Sequence, residues 1–320
     1  MTERRVLVTS RSFGSGQVDT ASMLREAGFT IVTAAPHHDL GELAPLLAGV
    51  EGWIAGTGPI TAGHLALAPR LCVIARYGVG VDAVDLDAAR NRGVIVTNTP
   101  GANSESVADL ALALLLGSLR TLTAGDRAVR RGDWSAIRGR EIGSLTIGVA
   151  GFGRIGRSVA SRFTALGASV LAFDPLLDPA ETLPVNMVRA GSFDDLAQAD
   201  AVSLHAPGGQ QLVSPEWLSR ANGIALVNTA RGDLVDEDAV ATALRSGALH
   251  SYAADTLDSE ASPGAPNPLL AEDIAGRVTL TPHLGAQTAQ AIDRMSVGAT
   301  ENALLVLDGR PPLNPVGGPA

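Results

Sequence analysis

Short apolar runs alternate with amphipathic stretches along most of the chain. RRVLVT (4–9), FTIVT (29–33), WIAG (53–56), LCVIARYG (71–78) and GVIVTN (93–98) each read as a buried strand, and residues 19–27 and 39–48 between them carry helical spacing. Strands alternating with helices predict a parallel α/β domain. A polar loop with Pro100 and Gly101 then leads into a helix from about Glu105 that is apolar on nearly every face. Such a helix needs cover on all sides, between domains or against a second subunit. The loop RRGDWSAIRGREI, with Trp134, follows it.

Residues 145–174, LTIGVAGFGRIGRSVASRFTALGASVLAFD, then give a strand ending at Ala150, a glycine turn, a helix to about Leu166 and a second strand ending on Asp174. The alternation resumes through the strands VNMV, AVSLHAP, IALVNTARG, HSYAADTLD and VTLTPHLGAQT, with helices at SPEWLSRA and DEDAVATALRSG. The proline-rich segment SEASPGAPNPLLAED reads as an irregular surface excursion. A helix over 288–307 is expected to return to the first domain, and the tail DGRPPLNPVGGPA is expected to be extended or loose.

Within the 145–174 unit each glycine has a separate task. Gly151 turns the chain sharply out of the strand, Gly153 leaves room for a pyrophosphate near the backbone, and Gly156 lets the helix lie close to the sheet. The helix N-terminus offers free N–H groups and a positive dipole end to the phosphates. Asp174 stands where a carboxylate accepts from the adenosine ribose hydroxyls and repels a 2′-phosphate, so the expected cofactor is NAD and not NADP. The fold class is therefore α/β, two Rossmann-like domains with parallel sheets, the larger binding the dinucleotide in a cleft between them. The boundaries predicted are 1–98 for the first part of the substrate domain, 99–287 for the NAD-binding domain and 288–320 for the returning part.

Composition narrows the function classes. A net charge of −9 and the lack of any basic run disfavour nucleic acid as a partner. A hydrophobic fraction of 46% with 3% aromatic residues suits a core of Ala, Val, Leu and Ile. The single cysteine, Cys72, lies in the apolar run LCVIA; it excludes an intrachain disulfide and reads as a buried thiol in a reducing cytoplasm. The N-terminus lacks the apolar stretch of a secretory signal, and the run ALALLL at 111–116 is too short to span a bilayer, so a soluble cytoplasmic protein with no membrane partner is expected. No metal site is expected.

Three strand ends beyond the nucleotide unit carry Arg231, Glu260 and His283. Loops at the carboxyl ends of a doubly wound sheet face the ligand crevice, which lets all three converge on the nicotinamide. An alcohol gives up hydride to NAD only if its hydroxyl proton is taken, and histidine, with an ordinary pKa of about 6.5, suits that task. Glu260 beside His283 would favour imidazolium and fix the ring. Arg231 would hold a substrate carboxylate in a planar fork.

The stretches RYGVGVDAVDLDAARNRGVIVTNTPGANSESVADLALALLL, GVAGFGRIG, LHAP, LVNTARGDLVDEDAVATAL and LTPHLGAQT, spanning residues 76–291, resemble the D-isomer-specific 2-hydroxyacid dehydrogenase family, in particular its phosphoglycerate dehydrogenase branch. The resemblance implies NAD-dependent hydride transfer on a 2-hydroxy or 2-oxo acid, with Arg231, Glu260 and His283 as the catalytic set. It also implies that Val79 and Gly80 present backbone N–H groups to the substrate carboxylate, that Asn103 and Ser106 border the cofactor cleft, and that Asp255 lies near the nicotinamide. Arg154, Ile155, Pro207, Thr229, Ala230 and Gly285 join the cofactor set, while His205 reads equally as a wall histidine or a cofactor contact. A homodimer through the helix after Ser104 and the Trp134 loop is implied as well.

Departures from the family pattern include Ala261 in place of proline, Asp109 in place of glutamate, and a shortened loop PGGQQLVSP after His205. The substrate turns on positive charge. Gly56 stands where phosphoglycerate enzymes commonly carry an arginine, and Arg76 either faces the cleft and pairs with a phosphate or packs under its strand. The first alternative favours 3-phosphoglycerate, the leading candidate, and the second favours glyoxylate or hydroxypyruvate. With the sequence ending at Ala320, feedback control through a small C-terminal regulatory domain is not expected. The resemblance extends to corepressors that keep the fold and bind NAD(H) without turnover, the main rival reading.

Overall fold

In the computed structural model, which describes residues 3–258 and 264–317, the chain divides into two compact units, Met1–Ser106 with Ala286–Ala320, and Val107–Gly285. The chain passes from one to the other inside a helix, between Ser106 and Val107.

The first unit opens with β1 (Arg5–Val8), α1 (Thr20–Glu26), β2 (Thr30–Thr33), α2 (Leu40–Leu47), β3 (Val50–Ala55), α3 (Ala62–Ala66), β4 (Val73–Arg76), α4 (Leu86–Asn91) and β5 (Ile95–Thr97). The chain leaves it through α5 (Ser104–Leu119) and continues with α6 (Leu122–Arg130). The second unit is built from β6 (Thr146–Ala150), α7 (Arg154–Ala165), β7 (Ser169–Phe173), β8 (Met187–Arg189), β9 (Ala201–Leu204), α8 (Pro215–Leu218), β10 (Ile224–Asn228), α9 (Glu237–Ser246), β11 (Leu249–Ala254) and β12 (Val278–Leu280). The chain then returns as α10 (Ala289–Leu307) and β13 (Pro315–Val316).

Helix starts are set locally. Asp19, Asp39, Asp85 and Asp236 accept with their side chains from backbone N–H groups three residues on, each satisfying a donor that the first helical turn leaves free. Strand composition follows from cover on both faces. In β1, Val6 and Val8 pack with Ala299 and Ala303 of α10, whereas Leu7 packs on the opposite side with Leu43 and Leu47 of α2. In β10, Ile224 and Leu226 join one core cluster and Ala225 and Val227 the other. A strand buried on both faces reads as a continuous apolar run.

The first sheet has the order β13-β5-β4-β3-β1-β2 and the second β12-β11-β10-β9-β6-β7-β8. All pairings are parallel except that of β13 with β5. Of the two alternatives expected for the tail, extended or loose, that pairing shows the extended one at Pro315–Val316. Asn302 is fully buried, and its side-chain oxygen accepts from Leu313 N at 3.0 Å and Asn314 N at 3.1 Å, which lays the tail along β5.

Cys72 is exposed rather than buried. It sits one residue before β4, where Leu71 turns inward and its neighbour outward, and its thiol donates to the Arg70 carbonyl at 3.4 Å. Within the single chain α5 is covered on part of its surface. Val107, Ala108, Ala111, Leu114, Leu115 and Leu119 are buried, but Leu112 and Leu116 are only partly so. Among the described residues no single helix is long and apolar enough to cross a membrane.

Candidate functional site

Because the second sheet is parallel throughout, all its strands end at one edge. The chain winds from β6 to β7 and β8 in one direction and from β9 to β12 in the other, so the loops after β6 and β9 part at the reversal, the usual place for a ligand in such sheets. Gly151 follows β6 with φ +88°, and a Cβ built there would lie 2.6 Å from the His205 carbonyl carbon after β9. The two strand ends are thus in backbone contact, which no side chain at 151 would permit. A Cβ on Gly156 would lie 1.9 Å from the Gly151 oxygen. A Cβ on Gly153 would meet nothing within 4 Å, so nothing in the protein itself requires glycine there. Gly153 is also the residue preceding α7 and supplies no side-chain cap, and a helix start of this kind is suited to an anion. Arg154 and Ile155 form its first turn.

Asp174 ends the next strand over. Its carboxylate accepts from Phe152 N at 2.7 Å and from Leu176 N at 2.8 Å, locking it beside the glycine turn with a lone pair on each oxygen left for hydroxyl donors. On the other side of β6, the His205 ring shares a hydrogen bond with Ser203 Oγ at 2.8 Å through Nε2, while Nδ1 is buried with no partner. Desolvation pushes this histidine down to about 3, so it is neutral imidazole at physiological pH. Thr229, after β10, has a buried hydroxyl that also lacks a partner; Ala230 beside it is buried, and Pro207 is exposed. An open backbone at Gly153, an uncapped helix start, an aligned carboxylate and two orphaned polar atoms along one edge fit a bound dinucleotide.

The loops after β10, β11 and β12, three adjacent strands, carry Arg231, Asp255 and His283. The arginine turn is built by Asn228, whose amide donates to the Arg231 carbonyl at 2.8 Å and accepts from Ala230 N at 3.0 Å. The guanidinium donates to the Ala230 carbonyl at 2.8 Å. Asp255, 3% exposed, accepts from the Thr281 hydroxyl, from Leu284 N at 2.7 Å and from Gly285 N at 2.7 Å, and its carbonyl accepts from His283 N at 3.1 Å. Its carboxylate therefore brackets the loop bearing His283, whose backbone takes the left-handed φ of +55°. Gly285 is where that loop must pass closest, since a Cβ there would be 3.0 Å from the Asp255 carboxylate. Glu260 and Ala261 lie outside the described residues.

In the first unit, Arg76 is 5% exposed at the end of β4. It donates through Nε to the Gly80 carbonyl at 3.0 Å and through Nη1 to the Gly56 carbonyl. The neighbouring Val79 carbonyl accepts from Asn98 Nδ2 at 2.8 Å, and Gly78 N donates to Thr99 Oγ1 at 3.1 Å. Gly56 has no room for a larger residue, because a Cβ there would lie 2.7 Å from the Thr9 carbonyl oxygen. Asn103 and Ser106 sit at the start of α5; Ser106 is buried, and Asn103 Oδ1 is buried with no partner. Asp109 forms an ion pair with Arg162 at 2.7 Å. Sequence reasoning passed over Asn228, although an asparagine just ahead of a strand-end turn is a recognisable turn-former.

Comparisons with known proteins follow the same lines. A family model described as D-isomer specific 2-hydroxyacid dehydrogenase, NAD binding domain, matches residues 112–285. A D-3-phosphoglycerate dehydrogenase from Mycobacterium leprae is 43% identical over 257 residues, 78% of this chain and 48% of that one, so the chain spans about half the length of that relative. A hydroxypyruvate reductase from Thermotoga maritima is 34% identical over 76% of this chain and 79% of its own length. Among solved structures, the TT0316 protein from Thermus thermophilus is similar with a TM-score of 0.85 and 39% identity, over 98% of this chain and 99% of that one.

Proposed function

We propose that this chain, which belongs to the D-isomer specific 2-hydroxyacid dehydrogenase family, catalyses reversible NAD-dependent interconversion of a 2-hydroxy acid and its 2-oxo acid. The observation that carries the reading is the placement of the nucleotide turn and the Arg231 and His283 loops along one carboxyl edge of one sheet. Bound NAD(H) would supply or accept the hydride. Gly151, Gly153, Gly156 and the first turn of α7 would hold its pyrophosphate. Asp174 would take the ribose hydroxyls and disfavour a 2′-phosphate. Arg231 would fork the substrate carboxylate, and His283 would hold the proton that joins or leaves the substrate oxygen, with Glu260 orienting its ring. Asp255 would act by holding the His283 loop. Val79 and Gly80 would offer backbone N–H groups to a carboxylate, and Asn103, Ser106 and His205 would serve cofactor binding.

For the substrate, similarity to the M. leprae relative favours 3-phosphoglycerate. A specific observation favours a second reading, in which the substrate is hydroxypyruvate or glyoxylate. Arg76 is buried and donates to two backbone carbonyls, and Gly56 has no space for a side chain. We expect Arg76→Ala to lower kcat/KM for 3-phosphohydroxypyruvate and hydroxypyruvate alike and to lower stability by about 1–3 kcal/mol per carbonyl left unsatisfied. A parental preference for the phosphorylated acid that vanishes selectively in the variant would show instead that Arg76 meets the phosphate. If no 2-oxo acid consumes NADH, the nucleotide-sensing reading replaces the enzymatic one.

A cytoplasmic homodimer is proposed, with neither membrane nor nucleic acid as partner. It is supported by the partly covered Leu112 and Leu116 of α5 and by exposed Leu122, Val129, Ile137 and Trp134, the last 81% exposed. Light scattering at micromolar concentration is expected to give about twice the chain mass of 32.7 kDa, and a value near 32.7 kDa would overturn the dimer.

A further inference from the structure

The shortened loop after His205 is laid against the turn that carries Arg231. Gly209 N donates to Asp233 Oδ2 at 2.7 Å. Further on, Leu212 N and Val213 N both donate to the Leu234 carbonyl at 2.9 Å, and Asp236 N donates to the Val213 carbonyl at 3.0 Å. Gly208 occupies the narrowest point. A Cβ built on it would lie 2.9 Å and 3.0 Å from the two Asp233 carboxylate oxygens and 3.1 Å from Cγ of Arg231. Gly209, with φ +97°, turns the chain away immediately afterwards.

The segment thus has two attachments of different kinds. Its distal half is stitched to residues 234–236 by backbone hydrogen bonds, which survive any change of side chain. Its proximal half, the part touching the Arg231 stem, is held by one side chain, the Asp233 carboxylate. A charged acceptor on a backbone N–H makes a short, strong bond. On the far side the arginine turn is fixed by Asn228 and by Gly232, where a Cβ would come within 2.4 Å of the Leu257 carbonyl carbon. The backbone of Arg231 is therefore set from one side, and its aliphatic stem is confined from the other by Gly208, which the Gly209 N–H bond to Asp233 seats there.

We propose that Asp233 is a positioning residue for Arg231, acting through the Gly209 N–H to seat Gly208 against the arginine stem so that the guanidinium is oriented toward a substrate carboxylate. The proposal rests on the assigned role of Arg231. It also accounts for the short loop, since Gly208 allows this closeness where any larger residue would displace Asp233 or Arg231.

The test compares the parent with Asp233→Ala and Asp233→Asn. Asp233→Ala is expected to raise KM for hydroxypyruvate about tenfold, the scale of a small displacement of a substrate-holding group, with KM for NADH and Tm unchanged. Asp233→Asn, whose side-chain oxygen accepts from the same N–H, is expected to restore most of the difference. Calorimetric titration of oxalate into each protein saturated with NADH should show the same loss and the same rescue. Unchanged KM and oxalate affinity in Asp233→Ala would overturn the proposal, as would a parallel loss of Tm and NADH binding that Asn does not rescue. Oxalate binding needs no turnover, so a parent inert toward every 2-oxo acid would overturn the functional reading while the oxalate comparison still decides this one.

Discussion

Replacing His283 with Ala is expected to lower kcat by about 10²- to 10⁴-fold, the usual worth of a positioned proton carrier, while NADH binding is retained. The two effects are expected to separate because groups other than the imidazole hold the loop. Asp255 holds it through Thr281, Leu284 and Gly285, and the His283 N–H is tied to the Asp255 carbonyl. Alanine in that left-handed backbone position removes the proposed proton carrier and leaves those contacts in place. Steady-state NADH consumption gives kcat, and NADH fluorescence titration gives affinity. Turnover close to that of the parent would reject the proton-transfer role; loss of both quantities together would show that the side chain is needed for the loop after all.

The features legible in the sequence are those whose cause is local. Two glycines of the nucleotide turn are required by neighbours within a few residues or by one adjacent strand, and strand-turn-helix order announces them. Aspartates ahead of helices mark their starts for the same reason. Features set by distant packing were not legible. Arg76 has the same neighbours in the chain whether it faces a ligand or its own fold, and its bonds to the carbonyls of Gly56 and Gly80 are made across the fold, not along the chain's local pattern. Cys72 sits in an apolar run yet lies on its exposed side. The tail is ordered by Asn302, which is buried in a helix whose spacing gives no hint of that partner. The resemblance implies a place near the nicotinamide for Asp255, but nothing local in the sequence shows that its carboxylate is engaged by a loop about thirty residues on.

Alanine substitutions at Gly153 and Gly156 are expected to fail in different ways, although the two stand three residues apart in one motif. At Gly156 the added methyl would lie 1.9 Å from the Gly151 oxygen and 3.0 Å from its carbonyl carbon. Those are backbone atoms fixed by Gly151 N donating to the Phe173 carbonyl at 2.7 Å, so the helix must move off the sheet. Overpacking of this kind costs about 1–3 kcal/mol or more, and both Tm and NADH affinity should fall. At Gly153 the methyl meets no protein atom within 4 Å, and φ of −74° is open to any residue. Alanine there should leave the unliganded protein as stable as the parent or raise its stability by about 0.4–1 kcal/mol through the unfolded chain. Its NADH affinity should nevertheless drop, because the methyl would occupy the space proposed for the pyrophosphate. Thermal melts without ligand, paired with NADH titrations, separate the outcomes. A Gly153→Ala protein that binds NADH like the parent would place the pyrophosphate elsewhere, since an open glycine next to an uncapped helix start would then have no ligand to explain it.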